Sequence, residues 1–240
     1  GSYYSVRDYC AVDPCLGTME DFDAFVAEAH RLGMKVLLDW IANHTARDAR
    51  WVTEKPASWY ERDASGAPAV PWDWTDTAKL NYAEREVWRA QGDAMEFWVR
   101  EHGVDGFRCD MAMLVPIEFW NETAQRLRRV KPDLFMLAEA EETYLFDGGA
   151  FDACYAWEMH HLMNDVAQQR VRVTSLRDYI YADRRRYPRS AMRLAFTSNH
   201  DENSWNGSEF ARMGAAREIM AVFTFSTGEP STPAMRGRCT

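Results

Sequence analysis

Segments that read as short buried strands alternate with segments that read as amphipathic helices along the 240-residue chain, and this rhythm restricts the fold more than any other feature. Thr18 followed by Asp21 has the form of a capping box, and Phe22, Phe25, Val26, Ala29 and Leu32 recur behind it at helical spacing. Gly33 closes that helix, and Met34 to Asp39 reads as a buried strand. A helix over 84–102 follows, with Trp88, Gln91, Met95 and Trp98 on one side, and then a strand from Val104 to Cys109. Pro116 opens the next helix, which carries Ile117, Trp120, Ala124 and Leu127. Further strands are expected at Leu134 to Ala138, Phe151 to Trp157 and Met192 to Thr197. Helices are expected around Met159 to Gln169, Thr174 to Arg186 and Glu209 to Phe225, the last with Gly214 as a weak point. Strands and helices in this order build parallel βα units, either as a doubly wound sheet or as a barrel. The rhythm breaks from Ile41 to about Tyr82, a stretch with Gly66, Pro56, Pro68 and Pro71. Irregular segments of that length are usually functional or form a small subdomain.

Composition narrows the function. With 47% apolar residues the chain can bury a core, and its net charge of −9 opposes binding to nucleic acid, whose affinity comes mainly from Lys and Arg. No membrane span is expected, because the longest apolar stretch, Met111 to Ile117, is far short of the ~18 residues required. Cysteines 10, 15, 109, 154 and 239 are odd in number and have no tight repeated spacing, so neither a disulfide framework nor a zinc site is implied. The sequence opens on Gly1 without a start signal, so the true N-terminus is expected to lie outside it. The compartment stays open, and a secreted or periplasmic location is compatible with such a beginning.

Asp39, Asp110, Glu139 and Asp201 all stand at the carboxyl ends of expected strands. Asp110 to Glu139 is 29 positions, about one βα unit, and Glu139 to Asp201 is 62, about two. In a parallel barrel the carboxyl ends of the strands converge on one rim, where active sites sit. An acid after a strand often only caps the next helix, but that reading fits Asp39 poorly, because no helix begins at Ile41. It also leaves Asn43, His44, Arg108, Asn199 and His200 beside these acids unexplained, and such charged clusters are costly to build for structure alone. Clustered carboxylates suit the cleavage of glycosides, in which one attacks the sugar carbon and another, kept protonated, protonates the leaving oxygen. Arg108 lies on the same strand face as Asp110 and could hold it ionised and oriented.

Four segments carry a resemblance. Asp39-Trp40-Ile41-Ala42-Asn43-His44, Gly106-Phe107-Arg108-Cys109-Asp110, Met136-Leu137-Ala138-Glu139-Ala140 and Phe196-Thr197-Ser198-Asn199-His200-Asp201 resemble, in order, the four signature blocks of the α-amylase family of glycoside hydrolases. The resemblance implies an α/β fold, the (β/α)8 TIM barrel, with Asp110 as nucleophile, Glu139 as general acid/base and Asp201 gripping sugar hydroxyls. Arg108, His44 and His200 would be substrate-binding and electrostatic partners. Tyr4, with Asp8-Tyr9, resembles the segment whose tyrosine stacks on the sugar. Asp39, Asn43 and Asn199 would be structural residues near the site. Residues 41–82 would be a small domain inserted after strand three, between barrel parts at 1–40 and 83–240. The implied function is retaining hydrolysis of α-glucans, starch or maltooligosaccharides with α-1,4 linkages. The alternatives are a transglycosylase or α-glucosidase of the same family, and a non-catalytic amylase-like binding protein. A metal-dependent hydrolase using His44, His200 and Asp201 as ligands is the rival outside the family.

The sequence also departs from the family pattern. Lys79 stands where the resemblance puts a calcium-binding aspartate, so no cofactor is expected and calcium is disfavoured. Met111-Ala112-Met113-Leu114 replaces the Lys-His pair that follows the nucleophile in many members. The strands present would be three to seven of eight, with one, two and eight missing, and the fragment alone is expected to be inactive. Ser231 to Gly237 does not read as the strand due there, which a frame change near Pro230 would explain. Within 41–82, Trp51, Trp59, Tyr60, Trp72 and Trp74 are either platforms for sugar rings or the core of the small domain.

Overall fold

The computed structural model describes residues 2–227, so Ser231 to Gly237, Cys239 and the frame change expected near Pro230 lie outside the described residues. The chain forms two compact units, each described by itself. The first is residues 2–140 with Asp147–Phe151, and the second is Glu141–Phe146 with residues 152–227.

In the first unit, α1 (Met19–Arg31) begins at the expected capping box. The Thr18 hydroxyl accepts from the Asp21 N–H, and the Asp21 carboxylate accepts from the Thr18 N–H at 2.9 Å, satisfying donors that a helix start leaves over. Phe22, Val26 and Ala29 pack with Val36. Phe25 and Leu32, expected on the same face, are 58% and 56% exposed. The buried stripe runs i, i+4, i+7 from Phe22, and these two fall on its flank. β1 (Leu37–Trp40) starts later than expected, because the N–H of Val36 is taken by the Asp105 carboxylate instead of a neighbouring strand.

The segment expected to be irregular contains β2 (His44–Ala46), α2 (Arg50–Glu54) and β3 (Thr77–Lys79), with β2 and β3 antiparallel and His44 opposite Lys79. Trp59, Tyr60, Ala78 and Leu80 form a small core with Val87, and Trp51 and Tyr82 pack against it. Three of the five aromatic residues singled out in the sequence, Trp51, Trp59 and Tyr60, thus serve this core. α3 (Arg85–Glu101) buries Gln91, Met95 and Trp98, as its periodicity predicts. β4 (Gly106–Cys109), α4 (Ile117–Val130) and β5 (Phe135–Ala138) follow, and Pro116 is the N-cap of α4 instead of its first residue.

β1, β4 and β5 lie side by side in parallel, with Leu38, Phe107 and Met136 in register. A Cβ at Gly106 would land on the Phe135 carbonyl, so only glycine permits this approach. At the opposite end from the acid-bearing loops sits Asp105, buried just before β4. It accepts from the Val36 N–H (2.9 Å) and pairs with His30 (2.7 Å), Lys35 (2.9 Å) and Lys131 (2.7 Å). Burial pushes its pKa up, but the bonds from Lys131, Val36, Lys35 and His30 outweigh burial and hold it well below the usual carboxylate range.

The second unit contains β6 (Ala153–Tyr155), α5 (Trp157–Ala167), α6 (Thr174–Arg186), β7 (Met192–Leu194), α7 (His200–Trp205), α8 (Glu209–Met213) and α9 (Arg217–Thr227). β6 and β7 pair in parallel, Ala153 opposite Met192. Met159, Met163, Leu176, Tyr179, Met213 and Met220 form the core beneath them. β7 ends at Leu194, short of the expected Thr197, because side chains take the later carbonyls: His160 Nδ1 lies 3.1 Å from Phe196 O, and Arg212 donates to Thr197 O at 2.9 Å. The single helix expected over Glu209 to Phe225 is two, because Gly214 (φ 54°, ψ −132°) leaves the helical region and a 3₁₀ turn separates α8 from α9. Among the described residues, no helix is long and apolar enough to cross a membrane.

Candidate active site

The site in the first unit follows from strand register. Asp39 on β1 is paired with Arg108 on β4, and Asp110 and Glu139 are the first residues past the ends of β4 and β5, respectively. Side chains alternate along a strand, so Arg108 and Asp110 project to one face. Arg108 Nη1 donates to Asp39 Oδ1 and to Asp110 Oδ1, both at 2.8 Å, and Nη2 pairs with Glu139 Oε1 at 2.6 Å. One guanidinium therefore organises three carboxyl groups. Arg108, Asp110 and Glu139 are buried, while Asp39 is exposed.

Three carboxyls around one cation leave an excess of negative charge in a poorly solvated place. Burial raises the pKa of Asp110 above its ordinary value. Arg108 works against this, Asp39 adds to it, and a side-chain hydrogen bond with Glu139 pulls it back.

Tyr4 closes one side: its hydroxyl donates to Asp39 Oδ2 at 2.9 Å, and its ring faces Arg108 at 5.8 Å. Burial, followed by the charge of Asp39, drives its pKa up. His44 is buried, and burial depresses its pKa. The Asn43 amide nitrogen can only donate, so His44 Nδ1 accepts from it at 3.2 Å, and His44 Nε2 is left to donate to Tyr4 O at 3.2 Å. The buried run from Ile41 to His44 keeps its shape because side chains satisfy its carbonyls. Tyr9 bonds Ile41 O (2.7 Å) and His44 O (2.9 Å), and Tyr82 bonds Ala42 O (2.8 Å).

One contributor had no signal in the sequence. Met111, immediately after Asp110, adopts a left-handed conformation (φ 42°) and donates its backbone N–H to Glu139 Oε2 at 2.9 Å. A backbone N–H is common to almost every residue type, so no choice of side chain announces it.

Asn199, His200 and Asp201 belong to the second unit. Asp201 was expected at a strand end, but β7 has already stopped at Leu194, and Asp201 lies in the first turn of α7. Asn199 is the N-cap of that helix and accepts from the Glu202 N–H at 2.8 Å; His200 Nε2 lies 3.6 Å from Asp201 Oδ1. Beneath them the buried His160 meets Glu202 at 3.1 Å.

The donors near Asn43 do not fit calcium. Its side-chain nitrogen is turned to His44, its backbone carbonyl accepts from the Leu80 N–H, and Lys79, opposite His44, pairs with Glu61 at 2.9 Å. Lys79, at the position where the resemblance puts an aspartate, offers an ammonium in place of the oxygen a hard cation needs. Among the described residues, no group of three or more His, Cys, Asp or Glu side chains is arranged to hold a metal ion.

Comparison with known proteins identifies the family. The family described as "Alpha amylase, catalytic domain" matches residues 2–77 and 57–232. The α-amylase MalA of Haloarcula japonica is 29% identical over 230 residues, 92% of this chain and 34% of that protein. The α-1,4-glucan:maltose-1-phosphate maltosyltransferase of Arcanobacterium haemolyticum is 37% identical over 136 residues, 54% of this chain and 19% of that protein. The crystal structure of an α-amylase from Lactobacillus plantarum superposes with a TM-score of 0.84 at 31% identity, covering 95% of this chain and 56% of that one. The chain thus spans about a third of the length of its first curated α-amylase relatives. Parallel strand pairing within each unit, an Arg108-centred acid cluster at the strand ends of the first and a family match across most of the sequence lead to one conclusion: the chain is part of an amylase-type (β/α)8 barrel and belongs to the α-amylase family of glycoside hydrolases.

Proposed function

We propose that this chain carries the catalytic machinery of a retaining glycoside hydrolase acting on α-glucans, starch or maltooligosaccharides with α-1,4 linkages. Asp110 is the nucleophile, Glu139 the general acid/base and Asp201 the carboxylate that grips sugar hydroxyls; Tyr4, Arg108, His44 and His200 bind substrate. The observation that carries this reading is the single guanidinium of Arg108 bonded to Asp39, Asp110 and Glu139. Two carboxyls gripped by the two ends of one guanidinium sit close together, whereas inverting enzymes keep ~6.5 Å or more for a water, which favours a covalent intermediate.

In the first step Asp110 attacks the anomeric carbon. The bond to the leaving sugar breaks as Glu139 gives its proton to the departing oxygen. In the second step Glu139, now ionised, takes a proton from water, which attacks the anomeric carbon, and Asp110 leaves as carboxylate. Arg108 stabilises Asp110 as it enters and leaves the ionised state. Transfer to another sugar in place of water is the second reading, favoured by the 37% identity to a maltosyltransferase.

Product analysis of the full-length protein on starch, maltooligosaccharides, pullulan and sucrose tests both, with the anomeric form of the first product followed by NMR. Hydrolysis giving α-anomeric products is expected. Longer oligosaccharides accumulating at the expense of free reducing sugar would favour transfer, and β-anomeric products would overturn the retaining assignment.

A further inference from the structure

Trp72 sits in a backbone position that opposes its own side chain. It is the second residue of the turn Pro71–Trp74, which is closed by the Trp74 N–H to Pro71 O bond at 3.1 Å, and its φ is 47°. A bulky residue at positive φ is strained, and turns with positive φ at this position ordinarily use Gly, Asn or Asp. Burial does not offset the strain, because Trp72 is 63% exposed. Its ring lies against Trp74 with centroids 4.7 Å apart, and Trp74 lies 5.3 Å from the ring of His44. His44 bonds the Tyr4 carbonyl and Tyr4 bonds Asp39, so a chain of contacts links the aromatic pair to the acid cluster. Trp59, in the same segment, is buried in the small core, so that core does not need Trp72. Strain kept at an exposed side chain is characteristic of functional positions.

We propose that Trp72, backed by Trp74, is a stacking platform for glucosyl units of an α-glucan beyond those at the reacting centre, a binding subsite that sets the preferred chain length. The C–H face of a pyranose packs on the open indole face, and its hydroxyl rim stays in water or bonds the exposed carboxylate of Asp73 beside it. This inference rests on the α-glucan reading above.

The test uses the full-length protein with maltoheptaose and maltotriose. Trp72→Gly should lower kcat/KM for maltoheptaose about tenfold, equivalent to about 1.4 kcal/mol, while changing that for maltotriose by less than about twofold. Its melting temperature should hold or rise, because glycine accepts the turn without strain. Trp72→Phe should recover most of the loss on maltoheptaose. Equal kcat/KM for Trp72→Gly and wild type on maltoheptaose would overturn the platform, and so would an equal loss on both substrates or a lowered melting temperature. A wild-type protein that turns over neither sugar would instead defeat the α-glucan reading, and the platform with it. That result is distinct from an active wild type that its Trp72→Gly variant merely equals.

Discussion

At the residue scale, three carboxyls share one cation, so each assignment can be separated by chemistry. Glu139→Ala should lower turnover of unactivated glucan by about 10²–10⁴-fold but spare attack on α-glucosyl fluoride, whose leaving group needs little protonation. Its trapped β-linked intermediate should accept azide to give the α-glucosyl azide. Asp110→Gly removes the intermediate and opens space beneath the sugar, so azide should attack directly and give the β-glucosyl azide. The opposite stereochemical pairing would exchange the two roles, and azide rescue of neither variant would leave them without support. The pH profile supplies an independent check. Asp110 must be ionised to attack, so activity falls as pH drops through its raised pKa. Arg108 lowers that pKa, so Arg108→Gln should raise it further and move the acidic limb of kcat/KM to higher pH, alongside a loss of kcat. An unmoved limb would show that the cation does not control the group that titrates there.

At the scale of elements, Asp105 joins α1, the entry to β1, the entry to β4 and the end of α4 through His30, Val36, Lys35 and Lys131. Its folded-state pKa is depressed, so its contribution to stability is present in full above the unfolded carboxylate range, near pH 4, and is lost as pH falls below it. Asp105→Asn should cost on the order of 3 kcal/mol at pH 7, because the lysines lose a buried counter-charge. Urea unfolding from pH 7 down to pH 3 checks this: the gap between wild type and variant should stay constant to about pH 5 and then close. A gap independent of pH would mean that packing, not charge, is what the carboxylate supplies. Gly106 offers a test of the strand pairing itself. A methyl group there meets the Phe135 carbonyl, so Gly106→Ala should destabilise by at least the ~1–3 kcal/mol typical of overpacking. A melting temperature equal to wild type would show that β4 and β5 can shift apart freely.

For the whole molecule, the pairing of Lys79 with Glu61 and the turning of Asn43 toward His44 lead us to expect a stability that does not depend on calcium. The full-length protein should keep its melting temperature in excess chelator, since a ligand bound only by the native state would stabilise it. A drop of several degrees that added calcium restores would place an ion here in spite of Lys79. Outside 41–82, the alternation of strand and helix was legible across the described residues, because parallel strands buried on both faces read as short apolar runs between amphipathic helices. Segment 41–82 was not legible as structure. Its antiparallel pair is only three residues a side, and its core is made of aromatic residues at no fixed period.

Residue type and order alone determined the repeating βα units, the capping box at Thr18 and the candidate acids, because these depend on local spacing and on side chains that announce their chemistry. What they could not determine depends on partners distant in the chain. Met111 holds Glu139 through a backbone N–H, a group carried by every residue except proline. β7 stops at Leu194 because His160 and Arg212 take the carbonyls a longer strand would use. Among the aromatic residues of one segment, only tertiary packing sorted Trp59 and Tyr60 into a core and left Trp72 exposed at a strained turn. An indole carries the same apolar surface in either place, and burial is decided by which neighbours the fold brings to it.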